Sequence, residues 1–293
     1  MVKIALLILL GFLWSARLAA IKAAGLSGIP VHVTISLSVL GVAILLSALA
    51  IQRGTWPPTD KSTVRFYILS GALGFILPFI LENLAAPHLS VFAFMIIIAT
   101  MPILTLLLSA VLKIEKPEWR QYVAIGLGFG VAILIAGDTV GNAMTQGAEW
   151  VWIVLAFGVP LLYAVNTLFI ASRWPSSADA VHVAHAQALI ISVAAIVGSV
   201  ATGAISEWYL AELNVPAIAG IAFFEALALL VFLKTTRDYG ATFVSLANYV
   251  SIVFAAILGA FLFGDRLTWL SAAAAVVLIL SLSVNQSRRM QPD

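Results

Sequence analysis

The chain has 293 residues, of which 62% are hydrophobic and only 10% are charged. A water-soluble domain needs about 25% charged residues to cover its surface, so this composition excludes an ordinary soluble fold and predicts a membrane protein. The formal net charge of +2 gives no indication of a nucleic-acid partner, and the absence of cysteine excludes disulfides and thiolate chemistry.

Ten apolar stretches can be recognised as membrane spans, because a helix needs about 20 apolar residues to cross the hydrocarbon core. In chain order they are Ile4–Ala24, Val33–Ile51, Val64–Leu84, Leu89–Leu112, Tyr122–Ala136, Trp150–Ala171, Val181–Gly203, Val215–Leu233, Ala241–Phe263 and Leu267–Val284. Turn-forming residues occupy the gaps, and no gap is long enough for a soluble domain. The predicted fold class is therefore an all-α integral membrane protein with ten transmembrane helices.

The distribution of Lys and Arg predicts the orientation, since cytoplasmic loops are enriched in both. With a cytoplasmic N-terminus, twelve of the 15 Lys and Arg residues fall inside, two, Lys22 and Arg266, fall outside, and Arg17 lies within the membrane. We therefore expect a multi-pass protein of the cytoplasmic (inner) membrane with both termini in the cytoplasm. The alternative is a secretory signal peptide, because Lys3 and the apolar run after it have that form. Its removal would leave nine spans.

The two halves of the chain resemble each other at an offset of about 150 residues. The offset aligns Glu115 with Asp265, Trp119 with Trp269, Trp14 with Tyr163 and Arg17 with Asn166. The halves, residues 1–142 and 143–293, each contain five predicted spans, and an odd number of crossings inverts the second copy in the membrane. Inverted repeats predict a substrate site between the halves, near the membrane midplane. The alternative is that apolar helices look alike by composition.

Two segments at equivalent places in these halves resemble known signatures. Residues 100–119, with Pro102 thirteen positions before an acidic residue, and residues 249–269 are similar to the two signatures of the EamA family in the drug/metabolite transporter superfamily. The opening segment Leu10–Ser15 is similar to the first helix of that family. The second signature departs from the pattern, because Ile252 replaces a proline and Asp265 replaces a glutamate.

The resemblance covers essentially the whole chain and implies a ten-helix secondary transporter. It further implies that the first, third, fourth, sixth, eighth and ninth spans enclose the cavity, with the fifth and tenth at the periphery. Proteins of this kind export amino acids and other small metabolites or drugs, some preferring aromatic amino acids.

Two charged residues lie deep within predicted spans, where an ionised side chain costs about 2.5 to 3.5 kcal/mol and faces the protein interior. Arg17 lies in the first span and Glu225 in the eighth. The arginine could hold a substrate carboxylate, and the glutamate could hold a cation or take up a proton. The alternative is a structural ion pair between them.

Polar and aromatic residues extend the predicted substrate site. Trp14 and Tyr163 each lie one helical turn before a polar residue, Arg17 or Asn166, and therefore on the same helix face. Such pairs could line a pocket for a zwitterion with an apolar side chain, although aromatic residues in membrane helices often serve only packing. Two further candidates in the ninth span are Asn248 and Tyr249.

Prolines within the third, fourth and sixth spans are candidate hinges, namely Pro78, Pro102 and Pro160. Each removes a backbone hydrogen bond and bends its helix, so structural kinks without gating are the alternative. His182 and His185 lack a third ligand nearby, and no metal site is expected.

No phosphate-binding loop and no common hydrolase motif occurs, so neither an enzyme nor a cofactor is predicted. The predicted function is export of small metabolites by alternating access, with amino acids, aromatic or otherwise apolar, as substrates. The alternatives are efflux of toxic organic cations and a membrane protein without transport activity. The expected partners are the small-molecule substrate and the surrounding lipid. Proton coupling, a monomer and a homodimer are all compatible with this prediction.

Overall fold

The computed structural model describes residues 2–112, 150–210, 213–239 and 247–265, together with position 244 and isolated positions from 119 to 130 and from 269 to 280. Every regular element in these residues is helical, and they contain no strand. The predicted fifth and tenth spans, 122–136 and 267–284, lie almost entirely outside the described residues. The ten-helix count therefore stays a prediction.

The described helices follow the predicted spans closely. They are α1 (Val2–Leu26), α2 (Val31–Arg53), α3 (Lys61–Gly71), α4 (Leu77–Ala85), α5 (Val91–Ile98), α6 (Met101–Val111), α7 (Trp150–Arg173), α8 (Ala180–Ala201), α9 (Glu207–Leu210), α10 (Val215–Tyr239) and α11 (Ala247–Phe263). Seven helical segments are long and apolar enough to cross a bilayer, and Val250–Phe263 is a shorter apolar one. The protein is thus an all-helical, multi-pass membrane protein over the residues described.

The third span consists of four helical pieces. Asp60 caps the start of α3 by accepting a hydrogen bond from the Thr63 amide at 3.0 Å. A π-helical turn over Ala72–Ile76 then joins α3 to α4, and the amide of Leu77 donates to the carbonyl of Ala72. A 3₁₀ turn follows α4 and extends the helical segment to residue 88. The span therefore continues four residues beyond its predicted end at Leu84.

The fourth span is two helices and not the single helix that its apolar length predicts. Helix α5 ends at Ile98 and α6 begins at Met101. Pro102 has no amide hydrogen to continue the helix, and it lies in the first turn of α6, where that loss is tolerated. The hydroxyl of Thr100 donates to the carbonyl of Ile97 at 2.6 Å and satisfies one acceptor at the break.

The helices pack in pairs that connect the two predicted halves. Helix α1 packs against α10 and α11, α7 packs against α4 and α6, and α2 packs against α8. In the predicted repeat α1 corresponds to α7, α2 to α8, α4 to α10 and α6 to α11. Exchanging each helix for its counterpart converts the α1 pairs into the α7 pairs and leaves α2 paired with α8. The inverted repeat itself stays a prediction, and this pairing supports it.

Small residues allow the closest of these contacts. A Cβ added to Gly11 of α1 would lie 2.7 Å from the Cβ of Val250 in α11. At the same contact the hydroxyl of Ser15 donates to the carbonyl of Ser251 at 2.7 Å. Close backbone approach and interhelical hydrogen bonds stabilise helix pairs in lipid, where burial of apolar surface contributes little. This contact holds α1 in place against α11, and α1 carries the residues described next.

Candidate functional site

A bidentate ion pair joins α1 to α4 in the interior of the protein. Nη1 of Arg17 donates to Oε2 of Glu82 at 2.6 Å, and Nη2 donates to Oε1 at 2.7 Å. Arg17 is 4% exposed and Glu82 is fully buried. Two parallel charge-assisted hydrogen bonds fix the guanidinium plane as well as its charge.

Two more helices contribute side chains to this ion pair. Oε2 of Glu225, in α10, lies 3.0 Å from Nε of Arg17, although the Nε–H is not directed at it for a hydrogen bond. The hydroxyl of Tyr163, in α7, donates to Oε1 of Glu82 at 3.1 Å and accepts from Nη2 of Arg17 at 3.3 Å. We call Arg17, Glu82, Tyr163 and Glu225 the charge cluster.

The charge cluster takes one residue from each of four helices, two in each predicted half of the chain. Its formal composition is one guanidinium and two carboxylates, so the negative charge is in excess when both acids are ionised. Burial of ionised groups in a membrane protein is costly unless they are paired. The cluster therefore connects the four helices, and when both acids are ionised one negative charge is left to be balanced by another group.

A cavity adjoins one side of the charge cluster. Its polar lining consists of Arg17, Tyr163, Asn166, Glu225 and Asn248, and its largest apolar residues are Trp14, Met95, Met101 and Phe232. The cavity volume is about 50 Å³, well below the roughly 300 to 1,000 Å³ of pockets that hold small organic ligands. The cavity is therefore smaller than a small organic ligand needs.

The structure brings six of the seven predicted substrate-binding residues to this cavity. They are Trp14, Arg17, Tyr163, Asn166, Glu225 and Asn248. The side chain of the seventh, Tyr249, lies outside the described residues. Substrate contact by any of them stays a prediction.

Glu82 is the residue of the charge cluster that the predicted substrate site does not include. Its position near the predicted end of the third span favours a loop or vestibule residue. In the structure α4 continues past Glu82 to Ala85, and the side chain of Glu82 is buried between helices. The signal that could have identified it is an acidic residue with an apolar neighbour in the preceding position, Leu81, inside a helical stretch.

The three candidate hinge prolines occupy different local structures. Pro78 lies in the first turn of α4, immediately after the π-helical turn, and Pro102 follows the break between α5 and α6. Pro160 lies inside α7, which continues past it. Two of the three thus coincide with an interruption of the helix. Hinge motion at any of them stays a prediction.

A second buried ion pair lies further along α1. Nζ of Lys22 contacts Oδ1 of Asp265 at 2.9 Å, and the other carboxylate oxygen accepts from the amide of Val91 at 2.9 Å. Lys22 is 7% exposed and its ammonium lies 4.7 Å from the ring centroid of Phe263. The orientation count places Lys22 on the outer side, and that assignment stays a prediction.

The two histidines of α8 have partners within the protein. Nδ1 of His182 accepts from the amide of Asp179 in a capping box, and Nε2 of His185 lies 3.0 Å from the hydroxyl of Ser47. Among the residues that the structure describes, no group of three or more His, Asp or Glu side chains could hold a metal ion.

Comparison with known proteins connects this architecture to transport. The chain is 26% identical over 277 residues to an S-adenosylmethionine/S-adenosylhomocysteine transporter of Chlamydia muridarum, covering 89% of this chain and 84% of that protein. It is 25% identical over 280 residues to the transporter of the same description from Chlamydia trachomatis serovar L2, covering 89% and 81%.

A solved crystal structure shares the fold, with a TM-score of 0.59 at 15% identity, covering 98% of this chain and 99% of the other. The sequence model of the EamA-like transporter family matches residues 1–137, as the resemblance in the sequence predicts. Residues 1–137 therefore resemble the EamA-like transporter family, and the similarity of this multi-pass membrane protein to proteins described as transporters indicates a transporter rather than an enzyme.

Proposed function

We propose that the protein transports small metabolites that carry an α-amino-acid group, with S-adenosylmethionine and S-adenosylhomocysteine as the first candidates. The observation that carries this proposal is the charge cluster, which lies beside a cavity between helices of both predicted halves. The transport cycle is alternating access, in which the lining helices separate toward one side of the membrane at a time.

The excess carboxylate in the charge cluster supports a substrate with a positive group. Glu82 is not among the residues that line the cavity, whereas Glu225 is one of them. A carboxylate that stays ionised in a buried site needs a balancing positive charge. The ammonium of an amino acid, a sulfonium or a proton can supply it.

Both candidate substrates match the remaining lining. Each carries an ammonium for Glu225 and a carboxylate that Arg17 can bind, because the Nε–H of Arg17 has no hydrogen-bond partner among the described residues. S-adenosylmethionine also carries a sulfonium, and the rings of Trp14 and Phe232, with centroids 6.1 Å apart, offer faces that attract a cation.

The similar proteins support the same substrate class. The two chlamydial relatives are described as transporters of these two metabolites, and the matches extend over most of each chain. We further propose that residues 1–142 and 143–293 form two inverted five-helix repeats. In this arrangement both termini are cytoplasmic and the protein lies in the inner membrane.

The test is counterflow in proteoliposomes. Vesicles loaded with unlabelled S-adenosylhomocysteine should accumulate external radiolabelled S-adenosylmethionine. Glu225→Gln should reduce accumulation at least tenfold, whereas Glu207→Gln should retain it, because Glu207 is half-exposed and pairs with His32 away from the cavity. Absence of accumulation by the folded wild-type protein would contradict these two substrates.

Export of ordinary amino acids is a second candidate function. The charge cluster can hold the ammonium and carboxylate of any amino acid, and Trp14 and Phe232 suit an aromatic side chain. Efflux of organic cations is a third candidate, favoured by the excess carboxylate. Unlabelled phenylalanine and a quaternary amine, added separately to the counterflow assay, distinguish these substrates by which one inhibits accumulation.

A further inference from the structure

We infer that Asn166 recognises an amino-substituted aromatic ring, such as adenine, at the end of the substrate away from its α-amino-acid group. The inference rests on the proposed function and specifies which part of the substrate the cavity selects. It assigns a role in specificity to a residue outside the charge cluster.

The first observation is a buried, unpaired acceptor on a residue that lines the cavity. Asn166 is 4% exposed and lines the cavity, yet its Oδ1 has no hydrogen-bond partner within the described part of the chain. Buried carboxamide oxygens are nearly always paired, because an unpaired one loses its hydration without compensation. A donor brought by the substrate would supply the missing hydrogen bond.

Other buried amides of the protein show what a structural role looks like. Nδ2 of Asn83 donates to the carbonyl of Phe79 at 2.8 Å, and Nε2 of Gln187 donates to the hydroxyl of Ser70 at 2.7 Å. The first bond lies within α4, and the second joins α8 to α3. Asn166 differs from them in combining an unpaired oxygen with a place in the cavity lining.

The second observation is the close packing that fixes the Asn166 amide. Gly74 lies within the π-helical turn, and a Cβ at that position would overlap the amide nitrogen of Asn166. Only glycine therefore admits the amide in its present place. A carboxamide held by its surroundings is preorganised for recognition, because little freedom is lost when a ligand binds.

The position of Asn166 separates two parts of the cavity lining. It lies three residues after Tyr163 in α7, so it shares a helix face with the charge cluster and lies about 4.5 Å further along the axis. Apolar side chains of Met95, Met101 and Trp14 provide surface against which an aromatic ring can pack. The cavity thus combines a charged wall, apolar walls and a carboxamide.

Adenine has the complementary hydrogen-bonding edge. Its N6 amine can donate to the Asn166 oxygen while its N7 accepts from the amide nitrogen, the pairing by which Asn and Gln recognise adenine elsewhere. Methionine and homocysteine carry the same α-amino-acid group without this edge. Asn166 would therefore favour the adenosyl compounds over the amino acids from which they are built.

The experiment measures selectivity between two inhibitors of counterflow. S-adenosylhomocysteine and S-inosylhomocysteine differ in the ring substituent, since the latter has an oxygen in place of the N6 amine. Wild-type protein should be inhibited at about tenfold lower concentration by the adenosyl compound, in line with the discrimination of one bidentate base contact. Asn166→Ala should bring the two inhibitory concentrations within about twofold, with methionine inhibition unchanged.

Two controls keep the inference open to contradiction. Asn166→Leu preserves side-chain volume and should lose selectivity in the same way, measured by direct binding in detergent if its flux is low. Asn83→Ala should keep the wild-type ratio whatever its flux. Equal inhibition by the two compounds in the wild type, or a retained ratio in both Asn166 variants, overturns the inference and leaves the proposed function standing. Absence of S-adenosylmethionine counterflow in the wild type overturns both.

Discussion

Helix α1 carries two buried cations, and their surroundings differ. Arg17 faces two carboxylates, with Glu225 lining the cavity, whereas Lys22 faces one carboxylate, Asp265, whose second oxygen is bound by a backbone amide. The Lys22 pair is balanced in charge and in hydrogen bonds, and the charge cluster is not. Burial of a charge alone therefore does not distinguish the two regions, whereas the charge imbalance beside a cavity does.

The Lys22 pair also has the features of a structural contact. The carboxylate of Asp265, which follows α11 in the chain, contacts the first residue of α5. There it accepts a hydrogen bond from the amide of Val91, at the positive end of the helix dipole. A Cβ at Gly259 would lie 2.8 Å from Oδ2 of Asp265, so the surroundings of the carboxylate are close-packed. We expect this pair to hold helix ends together without contacting substrate.

The largest expected effect is at Arg17. Arg17→Met leaves Glu82 and Glu225 without a cation, so we expect a loss of about 3 to 5 kcal/mol of stability and no flux. Thermal unfolding in detergent and counterflow measure the two effects. Arg17→Lys keeps the charge without the planar fork and should fold with flux reduced at least tenfold. Full flux in the lysine variant would show that charge alone is sufficient.

The second effect should appear in stability without a change in substrate binding. Lys22→Met leaves Asp265 unpaired and should cost about 3 kcal/mol, while the affinity for S-adenosylmethionine stays within twofold. Asp265→Asn in the same chain should recover most of the stability, because an amide oxygen can still accept from Val91. Weaker substrate binding at unchanged stability would assign Lys22 to the site and remove the contrast with Arg17.

A third prediction concerns the excess charge itself. Glu225→Gln balances the charge cluster, so we expect unchanged or higher stability together with about tenfold weaker binding of S-adenosylmethionine. S-adenosylhomocysteine has an uncharged thioether in place of the sulfonium. Because it carries one positive charge fewer, the substitution should weaken its binding less than that of S-adenosylmethionine. Binding isotherms for both compounds in detergent check this. Equal losses for the two compounds would indicate that Glu225 does not sense the sulfonium.

A smaller effect is expected from the hydroxyl of Tyr163. Tyr163→Phe removes one hydrogen bond to Glu82 and one from Arg17 and preserves the ring. We expect a loss of about 1 kcal/mol in stability and a severalfold decrease in flux. Phe66, whose ring packs near that of Phe169, offers a control, because Phe66→Tyr alters the aromatic content without touching the charge cluster. A normal flux in Tyr163→Phe would show that the hydroxyl of Tyr163 is not needed for transport and that only the three charged residues of the cluster are.

The smallest effect is expected at Asp60, an exposed carboxylate. Its substitution shows how small a change in stability is when the charge is not buried, in contrast to the charge cluster and the Lys22 pair. The hydroxyl of Ser62 and the amide of Thr63 donate hydrogen bonds to the carboxylate of Asp60. These bonds, that of Ser62 most of all, hold the pKa of the carboxyl below the ordinary value. The ionised form therefore stabilises the start of α3 at neutral pH, and this contribution is lost as the pH falls through the lowered pKa. Asp60→Ala should lower the melting temperature slightly at pH 7 and less at pH 3. Asp60→Asn, which keeps the cap, should remain close to wild type.

Most of the helices could be predicted from the sequence, because a membrane span is defined by a length of apolar residues that can be read directly. The break between α5 and α6 and the π-helical turn could not. Both leave the apolar run unchanged, and only Pro102 and Gly74 mark their positions. The third span was therefore predicted too short and the fourth as continuous.

The candidate site was partly predictable for a similar reason. Arg17 and Glu225 stand out as charges within apolar runs, and Tyr163 and Asn166 follow from the internal alignment with the first span. Glu82 lies 65 positions from Arg17, and no feature of a single sequence pairs two residues at that separation. The same applies to Asp265 and Lys22, which are 243 positions apart.

The wide turn at Ala72–Ile76 has a consequence for how this chain tolerates change. A π-helical turn accommodates one residue more than an α-helical path of the same course, and Glu82 lies downstream of it. Deleting a single residue there would restore regular α-helical winding and leave the segment after it, with Glu82, facing the guanidinium as before. A one-codon deletion elsewhere in α3 or α4 would instead rotate the following residues by about 100°.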